Sequence, residues 1–134
     1  MSTEQNTQLV QAVFAAFGRG DVQAVLDAMA DDVVHDEPSA GPAPFRGTYR
    51  GRGEVAAFFR QMAESVEVLS FEPKQFVAQG DMVIAFGNYQ FRARATGKAY
   101  ESDWAMAWQC KSGKIAAWKT YKDSAAELAA LQSG

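Results

Sequence analysis

Apolar residues in this chain recur first at helical spacing and then, over its second half, at alternate positions. Leu9, Val10, Val13, Phe14 and Phe17 fall on one helix face behind Ser2-x-x-Gln5, which has the form of a capping box. Gly18 and Gly20 stop that helix, and Asp21 stands as the N-cap of a second, with Val22, Val25, Leu26 and Met29 on one face. The acidic pair Asp31–Asp32 breaks the pattern, and a strand carrying His35 and Glu37 follows. Residues 38–53 hold three of the four prolines (Pro38, Pro42, Pro44) with Gly41, Gly47, Gly51 and Gly53, predicting a long irregular loop of the kind that usually serves a function. A third helix presents Val55, Phe58, Phe59 and Met62. From Val66 the period becomes two, predicting strands near 66–72, 74–79, 82–95, 99–110 and 114–122. Gly80–Asp81, Thr96–Gly97–Lys98 and Lys111–Ser112–Gly113–Lys114 read as the turns between them. Ser124-x-x-Glu127 suits the cap of a short last helix with Leu128 and Leu131.

Helices first and strands afterwards predict an α+β class, with N-terminal helices packed on a strongly curved antiparallel sheet. A curved sheet covered in this way encloses a conical space, a common place for a ligand. No repeat or boundary interrupts the chain, so residues 1–134 are expected to form a single domain.

Composition narrows the partners. With 48% hydrophobic and 22% charged residues and a net charge of −3, the chain reads as an ordinary soluble protein without a nucleic-acid footprint. The basic spots Arg46–Arg50–Arg52 and Arg92–Arg94 are short and read as solvated charges or interface groups. One cysteine, Cys110, and one histidine leave neither an internal disulfide nor a Cys/His zinc pattern, so no metal is expected. The polar, acidic start is unlike a signal peptide, and no run approaches the roughly 18 apolar residues of a membrane span. A cytoplasmic protein without membrane contact is the expectation.

The candidate chemistry lies in Val33–Val34–His35–Asp36–Glu37–Pro38. Strand alternation places Val33, His35 and Glu37 on one face. Facing a cavity, His35 and Glu37 form an acid/base pair; facing solvent, they are surface charges. Glu37 is then either a proton-transferring carboxylate or a structural one that bonds loop amides or Arg46. On the wall of an apolar cone it loses solvation, and desolvation is expected to raise its pKa. Asp123 is equally placed to cap the last helix or to serve the site.

Several runs together resemble the nuclear-transport-factor-2-like superfamily. They are Phe14–Ala15–Ala16–Phe17–Gly18–Arg19–Gly20–Asp21, Ala30–Asp31–Asp32–Val33–Val34–His35–Asp36–Glu37–Pro38, Gly47–Thr48–Tyr49–Arg50–Gly51–Arg52, Ser112–Gly113–Lys114–Ile115 and Tyr121–Lys122–Asp123. Within it the chain is most similar to the SnoaL-like branch, related to polyketide cyclases and ketosteroid isomerases, over nearly its whole length. The resemblance implies a cone-shaped fold and a cofactor-independent isomerase or cyclase acting by proton transfer on an apolar, carbonyl-bearing substrate. A non-catalytic binding or dimerisation module of the same fold is the alternative. In the isomerases an aspartate base precedes a proline, sixteen residues after a Gly-Asp; counting from Gly20–Asp21 reaches Glu37 before Pro38. The isomerase oxyanion donors fall on Val13, with Phe14 beside it, and on Ala105, neither of which donates a hydrogen bond. Ordinary ketosteroid isomerisation is therefore not implied.

By the same resemblance, His35, Glu37 and Asp103 are the expected catalytic groups, with Asp103 adding like charge beside Glu37. Val13, Phe14, Tyr89, Phe91, Trp118 and Thr120 are expected to line the substrate site, with Tyr49 at its mouth. Trp104, Met106 and Trp108 are expected on the opposite, convex face, where Trp104 and Trp108 would anchor a homodimer. No cofactor is implied.

Overall fold

The computed structural model describes residues 2–38 and 46–132; Gly41, Pro42 and Pro44 of the expected loop lie outside them. Helix α1 spans Thr3–Gly18, and its capping box is formed, with Ser2 Oγ accepting from Gln5 N–H at 3.1 Å. Helix α2, Val22–Asp27, is capped by Asp21, which accepts from Ala24 N–H at 3.1 Å. Met29 does not extend that helix: it is fully buried and opens strand β1, Met29–Glu37. The expected loop over 38–53 is shorter than its composition implied. Residues Gly47–Arg50 form strand β2, antiparallel to β1, and helix α3 begins at Gly51 and runs to Ser65. Gly51 has φ +81, the left-handed conformation that lets the chain turn from strand into helix.

Strand β3, Val66–Gln79, is one element where two were expected. Its register shifts between Val68 and Ser70 and again between Pro73 and Gln75, so the proline sits beside a bulge on an edge strand, where its missing N–H costs no ladder bond. Strands β4 (Met82–Ala93), β5 (Ala99–Lys111) and β6 (Lys114–Lys122) follow, then helix α4 (Ser124–Leu131). The sheet order is β2-β1-β6-β5-β4-β3; every pairing is antiparallel except β1 with β6, which is parallel. The β5–β6 turn places Ser112 at φ 52 and Gly113 at φ 79, the two positive values a tight hairpin requires.

The core lies between the helices and the concave face of this sheet. Val10, Val13 and Phe14 of α1 and Val55 and Phe58 of α3 pack there with Val83, Ala85, Tyr89, Phe91, Trp104, Trp108 and Trp118. Trp104 and Trp108 are thus concave, not convex: each is 3% exposed and lies 5.4 Å from the Phe14 ring. The unshifted β4–β5 ladder sets them opposite Gly87 and Val83, on the face of Tyr89 and Phe91, and a bulge in β6 brings Trp118 and Thr120 to the same face. Cys110 pairs with Ile115 but Gln109 pairs with Ala117, so the ladder skips Ala116 and shifts by one residue. A regular hairpin would have set Ala105 opposite Thr120 and Asp103 opposite Lys122; the extra residue brings Met106 and Trp104 to those places. No helix among the described residues is long and apolar enough to cross a membrane.

Room for Trp104 comes from Gly87 across the β4–β5 ladder. A Cβ there would lie 2.2 Å from the Glu72 carbonyl oxygen and 2.4 Å from the Trp104 ring. Gly87→Ala is therefore expected to destabilise the fold by about 3 kcal/mol, the upper end of overpacking costs, because a backbone atom cannot step aside. Urea unfolding measures this, and an unchanged midpoint would show that the sheet absorbs the methyl group.

Candidate functional site

Alternation along β1 turns Val33, His35 and Glu37 inward, and all three are buried. His35 lies in the ladder between Tyr49 of β2 and Trp118 of β6. Its ring stacks on Trp118 with centroids 3.9 Å apart and meets Phe58 edge-on at 4.5 Å. Nδ1 lies 3.2 Å from the Trp118 carbonyl oxygen and Nε2 lies 3.0 Å from Glu37 Oε1. A carbonyl only accepts, so a proton is assigned to Nδ1 from its partner. A further proton then lies between Nε2 and Oε1, carried either by the imidazole or by the carboxylate.

The second oxygen of Glu37 accepts from Lys122 Nζ, at the end of β6. The same ammonium donates to Glu127 Oε2 on α4 at 2.7 Å. All three side chains are out of water, with exposures of 7% for Glu37, 3% for Lys122 and 1% for Glu127. Burial raises the Glu37 pKa, but the hydrogen bond from His35 and the charges of Lys122 and His35 outweigh it. The carboxyl therefore titrates below its ordinary value, against the expectation that desolvation would win. Burial pushes the phenols of Tyr89 and Tyr100 up, Tyr100 itself also acts on Tyr89, and the charges of Glu127 and Glu37 add to both, so each keeps its O–H.

These groups border an interior cavity of about 70 Å³, otherwise walled by aromatic and aliphatic side chains. Val13, Phe14, His35, Glu37, Tyr89, Phe91, Trp118 and Thr120, all expected there, line it. Tyr49 does not. It stands on β2 beside His35, ring centroids 6.2 Å apart, with its hydroxyl 3.3 Å from Gln61 Oε1. Asp103 is also absent: paired with Asn88 in the regular β4–β5 ladder it lies on the convex face, where it is exposed and accepts from Asn88 Nδ2 at 3.0 Å. Ala105 faces outward with it, and Met106 and Trp108 line the cavity instead. Asp123 caps α4, accepting from Ala126 N–H at 3.0 Å, so Ser124 is not the cap and Glu127 is no capping-box partner.

Sequence reasoning missed Lys122 and Glu127. The signal for Lys122 was present: it has the parity of Trp118 and Thr120 on β6 and so points inward with them. Phe17, Phe59, Met62 and Phe71 line both the cavity and an outer groove of about 580 Å³ that reaches Val68 and Leu69. They stand between the two spaces. Among the described residues, no three His, Cys, Asp or Glu side chains are grouped to hold a metal ion.

The lowered Glu37 pKa fixes the sign of a stability effect. Between its folded and unfolded pKa values the native state binds fewer protons, so stability rises with pH through that window and is fully present above about 4.5. Glu37→Gln is expected to cost about 3 kcal/mol at pH 7, because it strands part of a buried charge, and the cost should shrink as pH falls below about 4.5. Denaturant unfolding of both proteins at pH 7 and pH 4 checks this; a gap that widens in acid would reverse the assigned shift.

Residues 10–118 match the SnoaL-like domain family. Among solved structures, an NTF2-like protein from Burkholderia xenovorans LB400 is 36% identical, with a TM-score of 0.89 over 98% of this chain and 99% of that one. An NTF2-like protein from Burkholderia thailandensis E264 is 32% identical, with a TM-score of 0.88 over 98% and 99%. A candidate polyketide cyclase from Xanthomonas campestris pv. campestris is 25% identical, with a TM-score of 0.78 over 97% and 98%. A comparison with curated proteins finds no match. A curved sheet with helices on its concave face, a family match over most of the chain and end-to-end likeness to these folds lead to one assignment: the chain belongs to the SnoaL-like family of the cone-shaped NTF2-like superfamily.

Proposed function

We propose that this protein binds a small, mostly apolar, carbonyl-bearing molecule in its interior cavity and moves a proton on it, without a cofactor. The observation that carries the reading is the contact of His35 Nε2 with Glu37 Oε1, 3.0 Å apart, at the wall of an otherwise apolar cavity. The Glu37 carboxylate takes the proton from the carbon beside the carbonyl, and the C–H electron pair passes into an enolate. His35 steadies the resulting acid, which returns the proton to that carbon or a conjugated one, so nothing is oxidised or reduced. Likeness to a candidate polyketide cyclase agrees with carbonyl chemistry. The cavity of about 70 Å³ is far below the roughly 300 Å³ of drug-sized sites, so a ring-bearing ligand enters only if Phe17, Phe59, Met62 and Phe71 turn aside toward the outer groove.

One observation favours the second reading, a binder without turnover. Lys122 and His35 hold the Glu37 pKa down, and a carboxylate so stabilised is a weak base. Exchange of the α-protons of 2-tetralone in D2O, followed by proton NMR, separates the two. The wild type is expected to exchange at least about 10²-fold faster than Glu37→Gln. Equal rates would remove the proton transfer and leave the binder.

The expected homodimer is retained as part of this proposal with a different anchor. On the convex face, Phe86 pairs with Ala105 and Ala105 with Tyr121, and the exposed Val77 lies in the neighbouring row. Phe86 is 41% exposed and Tyr121 51%, so this apolar strip, not Trp104 and Trp108, is what a second copy would cover. Phe86→Asp is expected to convert a dimer to monomer in sedimentation velocity at micromolar concentration, an interface aromatic carrying about 2 kcal/mol or more. A monomeric wild type would dismiss the dimer.

A further inference from the structure

Native proteins leave few buried polar atoms unpaired. Three that have no hydrogen-bond partner among the described residues stand on residues of the cavity lining: Tyr89 Oη, Trp108 Nε1 and Thr120 Oγ1, on residues 3%, 3% and 2% exposed. The last two come from adjacent strands. Met106 pairs with Thr120 and Trp108 with Trp118, which makes Trp108 and Thr120 diagonal neighbours on the concave face. The Trp108 ring is held in place by Phe14, edge-on at 5.4 Å, and by Trp118, stacked at 5.1 Å. Its N–H is therefore a donor with a fixed direction rather than one free to find another acceptor.

An indole nitrogen only donates, and a threonine hydroxyl donates as readily as it accepts. The group that satisfies both is an oxygen with two lone pairs. We infer that Trp108 Nε1–H and Thr120 Oγ1–H form a two-donor site for the carbonyl oxygen of the ligand, and for the enolate oxygen if a proton is removed. The inference rests on the carbonyl part of the proposed function. It places in this cavity the hydrogen-bond donors that Val13 and Ala105 lack, on two residues that the β4–β5 ladder and the bulge at Ala116 set on one face. Tyr89 is the least free of the three, because the Ser102 side chain opposite it across the ladder acts on its phenol as a weak hydrogen-bond partner. The Ser102 hydroxyl is already engaged, donating to the Asp103 carbonyl at 2.6 Å and accepting from Asp123 N–H at 2.9 Å. Trp104 Nε1 is also unpaired but Trp104 is not part of the lining, which makes it an internal control.

The probe is 2-naphthol, whose hydroxyl oxygen presents lone pairs as an enol does and which has no ketone α-proton to lose. Its result is therefore independent of whether Glu37 acts as a base. Binding is measured by fluorescence, and the indole N–H resonances by ¹H–¹⁵N spectra. Trp108→Phe and Thr120→Val are each expected to weaken binding about tenfold, the effect of one lost hydrogen bond, while Trp104→Phe leaves it unchanged. The Trp108 N–H resonance should move on addition of the probe, and the Trp104 resonance should not. Without probe, Thr120→Val should melt at or above the wild-type temperature, because it removes an unpaired hydroxyl. The inference is overturned if both variants bind 2-naphthol as the wild type does, if the wild type does not bind it, or if Thr120→Val alone melts clearly lower. Loss of α-proton exchange in the wild type, with these results intact, would defeat the catalytic reading and keep the donor site.

Discussion

The ammonium of Lys122 lies between two carboxylates in the interior, and the arrangement around it depends on that placement. Glu37 reaches it from the first strand and Glu127 from the last helix, so one buried charge ties β1, β6 and α4 together. None of these groups is tolerable alone in an apolar core, because an unpaired buried ion costs several kcal/mol. The His35 ring meets one oxygen of Glu37 and Lys122 the other. Those contacts explain why a carboxyl buried among aromatic rings is nevertheless easier to ionise than in water.

Geometry around the charges comes from aromatic packing. Trp108 stacks on Trp118 and Trp118 on His35, a continuous stack of rings along the concave face. The stack orients the imidazole, and the Trp118 carbonyl fixes which nitrogen carries hydrogen. Small residues on β4, Ala85 and Gly87, sit opposite Met106 and Trp104 and leave the space that the large residues of β5 fill. A cavity remains where this packing meets Glu37, Lys122 and Thr120, and its polar groups all lie on the sheet.

The same features weigh on function in opposite directions. A carboxylate held by Lys122 and His35 is well placed and more readily ionised than usual, which suits a base, yet the interactions that hold it also lower its affinity for a proton. On the proposed reading, what the carboxylate lacks in basicity is made up by stabilising the developing oxyanion, the part proposed for Trp108 and Thr120. The narrow interior and the apolar groove outside it share four side chains, so access and packing are controlled by the same residues.

What the sequence alone determined is what short-range periodicity encodes. Helical spacing of Val10, Val13 and Phe14, alternation of Val33, His35 and Glu37, and the Ser112–Gly113 turn are local properties, and each element formed where the pattern placed it. The motif order also sufficed for the family, because a fold is specified by the succession of its elements. Tertiary structure decided which face of β5 looks inward. Pairing with β4 turns Trp104, Met106 and Trp108 inward and Asp103 and Ala105 outward, and the chain carries no local mark of the skip at Ala116 that brings Trp118 and Thr120 to the same face. It also decided that β2 would form from part of an apparent loop, since a four-residue strand is stable only against β1. Above all it decided the partners of Glu37. Lys122 is 85 residues away along the chain, and only folding adds its charge to the His35 hydrogen bond on a carboxyl that burial alone would make harder to ionise.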